Sequence, residues 1–232
     1  MTRPTPPLTP STTPAPSLSS GPRRLVVMDV DSTLISQEVI ELIAAHAGTE
    51  ALVADITERA MRGELDFAES LRERVATLAG LPVSVLDDVR TRATFTPGAR
   101  ELVAECHRRG WVVALVSGGF EEIVADLAAE LGILTFRANR LEVADGHLTG
   151  RTTGQVVDRA YKAQSLREFA AAEGVAIEHT VAIGDGANDL DMIGVAGIGI
   201  AFAAKPVVRE QAPFSVDGPR LDAVLAIIDA QA

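Results

Sequence analysis

Leu25-Val26-Val27-Met28-Asp29-Val30-Asp31-Ser32-Thr33 is the stretch that decides the fold. Its apolar half reads as a buried strand, and two carboxylates two residues apart stand at the carboxyl end. In open α/β sheets that end borders the ligand crevice. In strand geometry residues i and i+2 share a face, so Asp29 and Asp31 are brought together there. Crowding two anions costs free energy unless a cation or a proton intervenes. An isolated Asp-x-Asp also reads as a solvated acidic turn, so the choice rests on what later strand ends supply.

Downstream, the next clear strand is Trp111–Val116, far beyond the dozen or so residues that one crossover helix needs. Apolar residues at helical spacing fill the interval, over Glu38–Ala47, Ala51–Met61 and Phe67–Leu78. Gly48, Gly63, Gly80 and Pro82 punctuate them. The reading is a small helical cap, residues 36–94, inserted after the first strand. Pro97 is expected to start a helix that Gly110 ends. A regular alternation follows: strand 111–116, helix Phe120–Leu131, strand Leu134–Ala138, a hairpin over Leu141–Gly150 turning at Asp145-Gly146, and a helix over about 161–173. Strands Thr180–Ile183 and Ile198–Phe202 and a terminal helix, Arg220–Ala230, complete it. Alternation of this kind predicts a doubly wound, Rossmann-like parallel sheet with helices on both faces. The core is expected from residues 23–35 and 95–232.

The 232 residues are 47% hydrophobic and 23% charged, enough to bury a core. With aromatics at 4%, Ala, Val, Leu and Ile must build it. A net charge of −11 argues against nucleic acid or an anionic membrane as partner. The single cysteine, Cys106, lies on the apolar stripe Leu102, Val103, Cys106 and reads as a small core residue. One cysteine excludes an intrachain disulfide and fits a reducing compartment, so a cytoplasmic location is expected. The four histidines are scattered without ligand spacing and are assigned no metal. Residues 1–22 hold seven of the twelve prolines and are expected to be a floppy tail. They lack the apolar centre of a secretory signal, and no stretch approaches the roughly 18 apolar residues of a membrane span. Oligomeric state is not readable from the sequence.

Later strand and helix ends supply chemistry that matches the first. Ser117 can donate to a phosphoryl oxygen, and Gly118 and Gly119 are expected to leave backbone N–H groups free at a helix N-terminus, an anion cradle. Lys162 adds a positive charge. Asp185 and Asp189 join Asp29 and Asp31 as oxygen donors suited to a hard divalent ion such as Mg²⁺. Singly, Ser117 is also a helix cap, Lys162 a surface lysine and Gly184-Asp185-Gly186 a turn. Their conjunction at successive strand ends describes a phosphate-and-cation site.

Asp29-Val-Asp-Ser-Thr33, Val116-Ser-Gly-Gly-Phe120, Lys162 and Gly184-Asp-Gly-Ala-Asn-Asp189 resemble, in order, the four motifs of the haloacid dehalogenase superfamily. Met28-Asp-Val-Asp-Ser-Thr-Leu-Ile-Ser-Gln-Glu-Val-Ile40, Gly63-Glu-Leu-Asp-Phe-Ala-Glu-Ser-Leu-Arg-Glu-Arg-Val75, Ala138-Asn-Arg-Leu141 and Ala203-Ala-Lys-Pro206 are similar to patterns of its phosphoserine phosphatase family. The similarity runs from about residue 24 to the last. It implies Mg²⁺-dependent hydrolysis of O-phospho-L-serine, the last step of serine biosynthesis, through an aspartyl-phosphate. By the same resemblance Asp29 is the nucleophile and Asp31 the general acid and base. Ser117, Gly118, Lys162 and Asn188 bind or orient the phosphate or substrate. The Asp29 carboxylate, the Asp31 backbone carbonyl and Asp185 hold the metal, with Asp189 reaching it through water. Glu38 is implied for the substrate ammonium and Arg74 for its carboxylate, a group that the planar guanidinium suits. Arg74 also stands in a charged stretch with Glu69, Arg72 and Glu73, and only the family register separates it from Arg72. Met61 and Phe67 read equally as pocket lining and as core. Some relatives carry amino-acid-sensing domains ahead of the catalytic one; none is expected here. Two other functions fit part of the pattern: a phosphotransferase passing the phosphoryl group to another alcohol, and a receiver-like module phosphorylated on aspartate. The helical insertion and the second acid at Asp31 count against the receiver.

Overall fold

The computed structural model describes residues 22–231, so the expected tail over residues 1–22 lies, but for Pro22, outside them. The first strand, β1 (Leu25–Met28), is wholly buried. Val26 and Met28 enter one apolar core and Leu25 and Val27 the other, as a central parallel strand covered on both faces requires. Beyond it the chain makes a wide helical turn over Val30–Leu34, closed by the Ile35 N–H on the Val30 carbonyl at 3.0 Å.

Four helices follow: α1 (Val39–Ala47), α2 (Glu50–Met61), α3 (Phe67–Ala76) and α4 (Val85–Arg92). The first three occur where the apolar spacing places them. Gly48 ends α1 in the left-handed region (φ 70°). Asp66 caps α3 by accepting the Glu69 N–H at 2.8 Å. The sequence does not announce α4, because its 8 residues bury only Leu86 and Val89, too short a stripe for a period to register.

Next come α5 (Ala99–Arg108), β2 (Val112–Phe120), α6 (Glu121–Glu130), β3 (Thr135–Ala144) and β4 (His147–Thr153). The helix expected from Pro97 begins at Ala99, since Gly98 takes a left-handed φ of 84° at its cap. The hairpin turns at Asp145-Gly146, both with positive φ, the backbone that lets a two-residue turn follow the strand twist. After it come α7 (Arg159–Glu173), β5 (Thr180–Gly184), α8 (Leu190–Val195), β6 (Ile198–Phe202), α9 (Pro206–Gln211), β7 (Phe214–Val216) and α10 (Val224–Ala230).

The seven strands run in the order β4-β3-β2-β1-β5-β6-β7, all neighbours parallel except the β3–β4 hairpin. From β1 the chain builds outward through β2 to β4, then returns to β5 on the other side, so strand order reverses at β1. Met28 is level with Leu115 of β2 and Ile183 of β5. The residues just beyond that level therefore converge on the switch-point crevice where α/β sheets bind ligands.

The helical insertion lies against that end. Ile35 and Phe95 pair where it leaves and rejoins the sheet. Leu148 of β4 accepts from the Gly80 N–H and donates to the Leu81 carbonyl, both at 2.8 Å, and the Val83 N–H reaches the Gly146 carbonyl at 2.9 Å. Its apolar residues, including Ile43, Leu71, Val75 and Val89, share a core with Val26 and Met28. No described helix is long and apolar enough to cross a membrane.

Candidate active site

Because side chains alternate along β1, the residue after Met28 turns toward the face covered by α7, and Asp29 meets Lys162 there. Lys162 Nζ donates to Asp29 Oδ1 at 2.6 Å and to Asp189 Oδ1 at 2.7 Å, with the ammonium wholly buried. Asp189 reaches it from the last residue of a tight turn over Ala187–Asp189, whose start it also closes by accepting the Gly186 N–H at 3.1 Å. Asp185 stands at the end of β5 and accepts from Thr33 Oγ1 at 3.2 Å. Asp31 keeps an extended backbone (φ −67°, ψ 134°), and the adjacent Ser32 turns the chain at φ 56°. The Asp31 carboxylate accepts the Val39 N–H, from the first residue of α1, at 3.2 Å.

Ser117, Gly118 and Gly119 lie inside β2, which runs on to Phe120 with an irregular register beyond Val116. Two residues separate Arg137 from Asn139 on β3 where four separate Val116 from Phe120, and an outward bulge of this kind re-aims a strand end. Buried Asn139 holds it, donating to the Gly118 carbonyl at 2.8 Å and accepting the Val157 N–H at 2.9 Å. The expectation of free amides at a helix start needs correction. The Gly119 N–H is taken by Ser117 Oγ at 2.8 Å, and α6 begins only after the strand ends. Glycine at 119 is required by proximity, since a Cβ would come within 2.4 Å of Asp31 Oδ2.

The insertion roofs a small pocket lined by Asp29, Asp31, Glu38, Arg74, Gly118 and Asn188, with Met61 and Phe67 among its apolar walls. Glu38 stands just before α1, where its side chain caps no helix N–H and instead accepts from Ser32 Oγ at 2.7 Å. Arg74 is buried on the face of α3 that carries Leu71 and Val75, whereas Arg72 is exposed. Spacings of three and four residues share a helix face, so this choice was available from the sequence without a family register. Two buried polar atoms of residues lining the pocket have no hydrogen-bond partner among the described residues: the donor Arg74 Nη2 and the acceptor Asn188 Oδ1. Ser117, Lys162 and Asp185 are buried below this lining.

Burial dominates the electrostatics. It pushes Asp29 up to about 7 although Lys162 pulls the other way. Asp31 is held well above the ordinary carboxylate range by burial, then by Glu38 and Asp29. Asp185 is raised likewise by burial, Asp29 and Glu38. Burial works against the charge of Lys162, yet Asp189 and Asp29 keep it above the ordinary lysine value. Three buried carboxylates, Asp29, Asp185 and Asp189, with the half-buried Asp31 beside them, are thus balanced by one buried ammonium, an acid excess that invites a cation. Oxygens of Asp29, Asp185 and Asp189 lie within 4.8 Å of one another, and an all-oxygen donor set of this kind suits a hard divalent ion. The Asp31 side chain is outside that cluster. Asn139 falls within the quoted Ala138–Leu141 pattern without a role, and Thr57, which holds Arg74, carries no sequence signal, because the role of each is visible only through a partner on another element.

The chain matches the haloacid dehalogenase-like hydrolases over residues 26–193. It is 58% identical over 214 residues to a phosphoserine phosphatase of Streptomyces coelicolor, covering 92% of this chain and 52% of that protein. It therefore spans about half the length of that relative. With the phosphoserine phosphatase of Streptococcus thermophilus it shares 56% identity over 205 residues, 88% of this chain and 95% of that one. A solved structure described as a phospho-aspartyl intermediate analogue of phosphoserine phosphatase superposes with a TM-score of 0.86 at 43% identity, covering 88% of this chain and 98% of that one.

Proposed function

The chain belongs to the haloacid dehalogenase-like hydrolase family and groups within it with the phosphoserine phosphatases, and from that premise we propose that it hydrolyses O-phospho-L-serine to serine and phosphate. The observation that carries this reading is the pairing, in one pocket, of the Asp29–Lys162 contact with two unpartnered polar atoms, Arg74 Nη2 and Asn188 Oδ1. The first is chemistry for a phosphoryl group; the second is recognition left over for a polar, carboxylate-bearing ligand.

In this reading residues 36–94 act as a cap over a catalytic core of residues 23–35 and 95–232. Asp29 attacks phosphorus, the bond to the seryl oxygen breaks, and Asp31 gives that oxygen its proton. The resulting phospho-Asp29 is hydrolysed by water that Asp31, now ionised, deprotonates, so that inorganic phosphate leaves and both aspartates are restored. A desolvated Asp31 carboxyl is suited to carrying that proton near neutral pH. Lys162 lowers the repulsion between the Asp29 carboxylate and a phosphate dianion, which amounts to roughly 4 kcal/mol per unit charge pair at about 4 Å and an effective dielectric near 20. Ser117 and Gly118 receive phosphoryl oxygens, Asn188 orients the substrate, Glu38 takes its ammonium and Arg74 its carboxylate. The Asp29 and Asp185 carboxylates and the Asp31 carbonyl would hold Mg²⁺, with Asp189 behind them. When bound it neutralises charge on the phosphoryl oxygens. The product serves serine biosynthesis, and a reducing, cytoplasmic setting suits a chain with one buried cysteine.

Turnover of phosphoserine, phosphothreonine, phosphoethanolamine and a sugar phosphate, with Mg²⁺ and with chelator, tests this. Phosphoserine is expected to be hydrolysed fastest, only with Mg²⁺, and not at all by Asp29→Asn. Faster hydrolysis of the sugar phosphate overturns the substrate, and full activity in Asp29→Asn overturns the mechanism. A new phosphoester formed from added homoserine makes the protein a phosphotransferase instead.

A further inference from the structure

Arg74 is 3% exposed, and its guanidinium is held at two points. Nε donates to the Ser70 carbonyl at 3.1 Å, one turn back on its own helix. Nη1 donates to Thr57 Oγ1 at 3.0 Å, and Thr57 stands on α2, a different helix of the insertion. A contact within one helix lets the group swivel about its stem. A second contact from another helix fixes the plane, and it leaves Nη2 without a partner among the described residues, on a side chain that lines the pocket.

Thr57 is itself 2% exposed in the interior of α2, where a β-branched residue lowers helix propensity and a buried hydroxyl costs free energy unless bonded. Packing alone is served as well by valine. What valine lacks is the acceptor. Without it Arg74 has acids close by to which it can turn, since Glu38, Asp31 and Glu41 all act on its charge. A guanidinium drawn onto one of them no longer presents the Nη2 edge to a ligand.

We propose that Thr57 is a positioning residue for recognition of the substrate carboxylate: its hydroxyl orients Arg74 so that Nη2 stays available. The proposal rests on the phosphoserine reading above and names a residue of the cap that does not itself line the pocket. It separates carboxylate recognition from the phosphate chemistry, because nothing in the Thr57–Arg74 contact reaches Asp29 or Lys162.

The test compares Thr57→Val, Thr57→Ser and the unaltered enzyme with Mg²⁺. The readouts are kcat and KM for phosphoserine, the inhibition constant of inorganic phosphate, which has no carboxylate, and the melting temperature. In Thr57→Val the KM for phosphoserine rises roughly tenfold, the loss expected for one hydrogen bond to a charged group. Its kcat stays within about twofold and phosphate inhibition is unchanged; Thr57→Ser restores KM. An unchanged KM overturns the proposal, and so does an equal weakening of phosphoserine and inorganic phosphate, which marks general damage to the cap. Should Thr57→Val not fold, Thr57→Ser decides alone, since a KM far above that of the unaltered enzyme in a chain that keeps the hydroxyl overturns it. Failure of the underlying function shows instead in the unaltered enzyme, as absence of phosphoserine turnover.

Discussion

Replacing Lys162 by methionine keeps the length of the side chain and removes its charge. The ammonium is wholly buried and touches Asp29 at 2.6 Å and Asp189 at 2.7 Å, so the change opens no large cavity but strands two carboxylates out of water. Breaking a buried pair by removing one partner costs about 3–5 kcal/mol. For a chain of 232 residues, each kcal/mol moves the melting temperature by roughly 2–4 °C, so Lys162→Met should melt about 6–20 °C lower. Thermal unfolding at pH 8 with chelator present, so that no cation substitutes for the ammonium, measures this. Adding Asp189→Asn to Lys162→Met removes one of the stranded charges and should recover part of the loss, a coupling that a double-mutant cycle reads directly. Turnover should fall about a thousandfold, since roughly 4 kcal/mol of charge repulsion at 4 Å returns and each 1.4 kcal/mol is tenfold. A Lys162→Met protein melting within 2 °C or so of its parent, or a double variant no more stable than the single one, refutes the idea that this lysine balances buried acids.

Gly118→Ala places a Cβ at 2.7 Å from Cζ of Phe67, a ring on the pocket wall. The ring must move, so KM for phosphoserine should rise with only a small change in melting temperature. Phe67→Leu in the same chain should bring KM back toward its starting value, and a Gly118→Ala enzyme with normal KM would show that the roof does not sit so close. Glu41, at the rim among Glu38 and Glu50, is raised from 4.5 to about 7, chiefly by partial burial and then by those two neighbours. A carboxyl raised on folding favours the folded state fully only below its unfolded value and loses that contribution as pH rises toward 7. Glu41→Gln should therefore melt higher than the parent at pH 8, by the equivalent of about 1 kcal/mol after screening of a half-exposed group, and match it near pH 4; a gap that does not depend on pH removes the cause assigned.

Local patterns carried much of the architecture. Four consecutive apolar residues before Asp29, helical spacing from Glu38 to Leu78 and the later alternation are all short-range signals, and they give the order of the elements, with bounds that shift by a few residues: the terminal helix starts at Val224 rather than Arg220, and the strand expected to stop at Ala138 runs on to Ala144 as the first arm of the hairpin. Elements with little buried surface escaped: α4, the six-residue α9 and the three-residue β7 offer no period long enough to read. The bulge that keeps Ser117-Gly118-Gly119 in β2 also escaped, because Asn139 imposes it from a neighbouring strand.

The four aspartates and the lysine of the site could be named from residue types at strand and helix ends, whereas Glu38 and Arg74 came through the family resemblance, although the period of α3 also separates Arg74 from Arg72. Their joint geometry could not. Lys162 meets Asp29 across 133 positions of sequence, Thr57 meets Arg74 across two helices, and the Gly119 amide turns to Ser117. A one-dimensional period records which side of an element is buried. Which groups then share a charge or a hydrogen bond depends on how separate elements are brought side by side, and the sheet order, with β1 between β2 and β5, and the packing of α3 against α2 decide that.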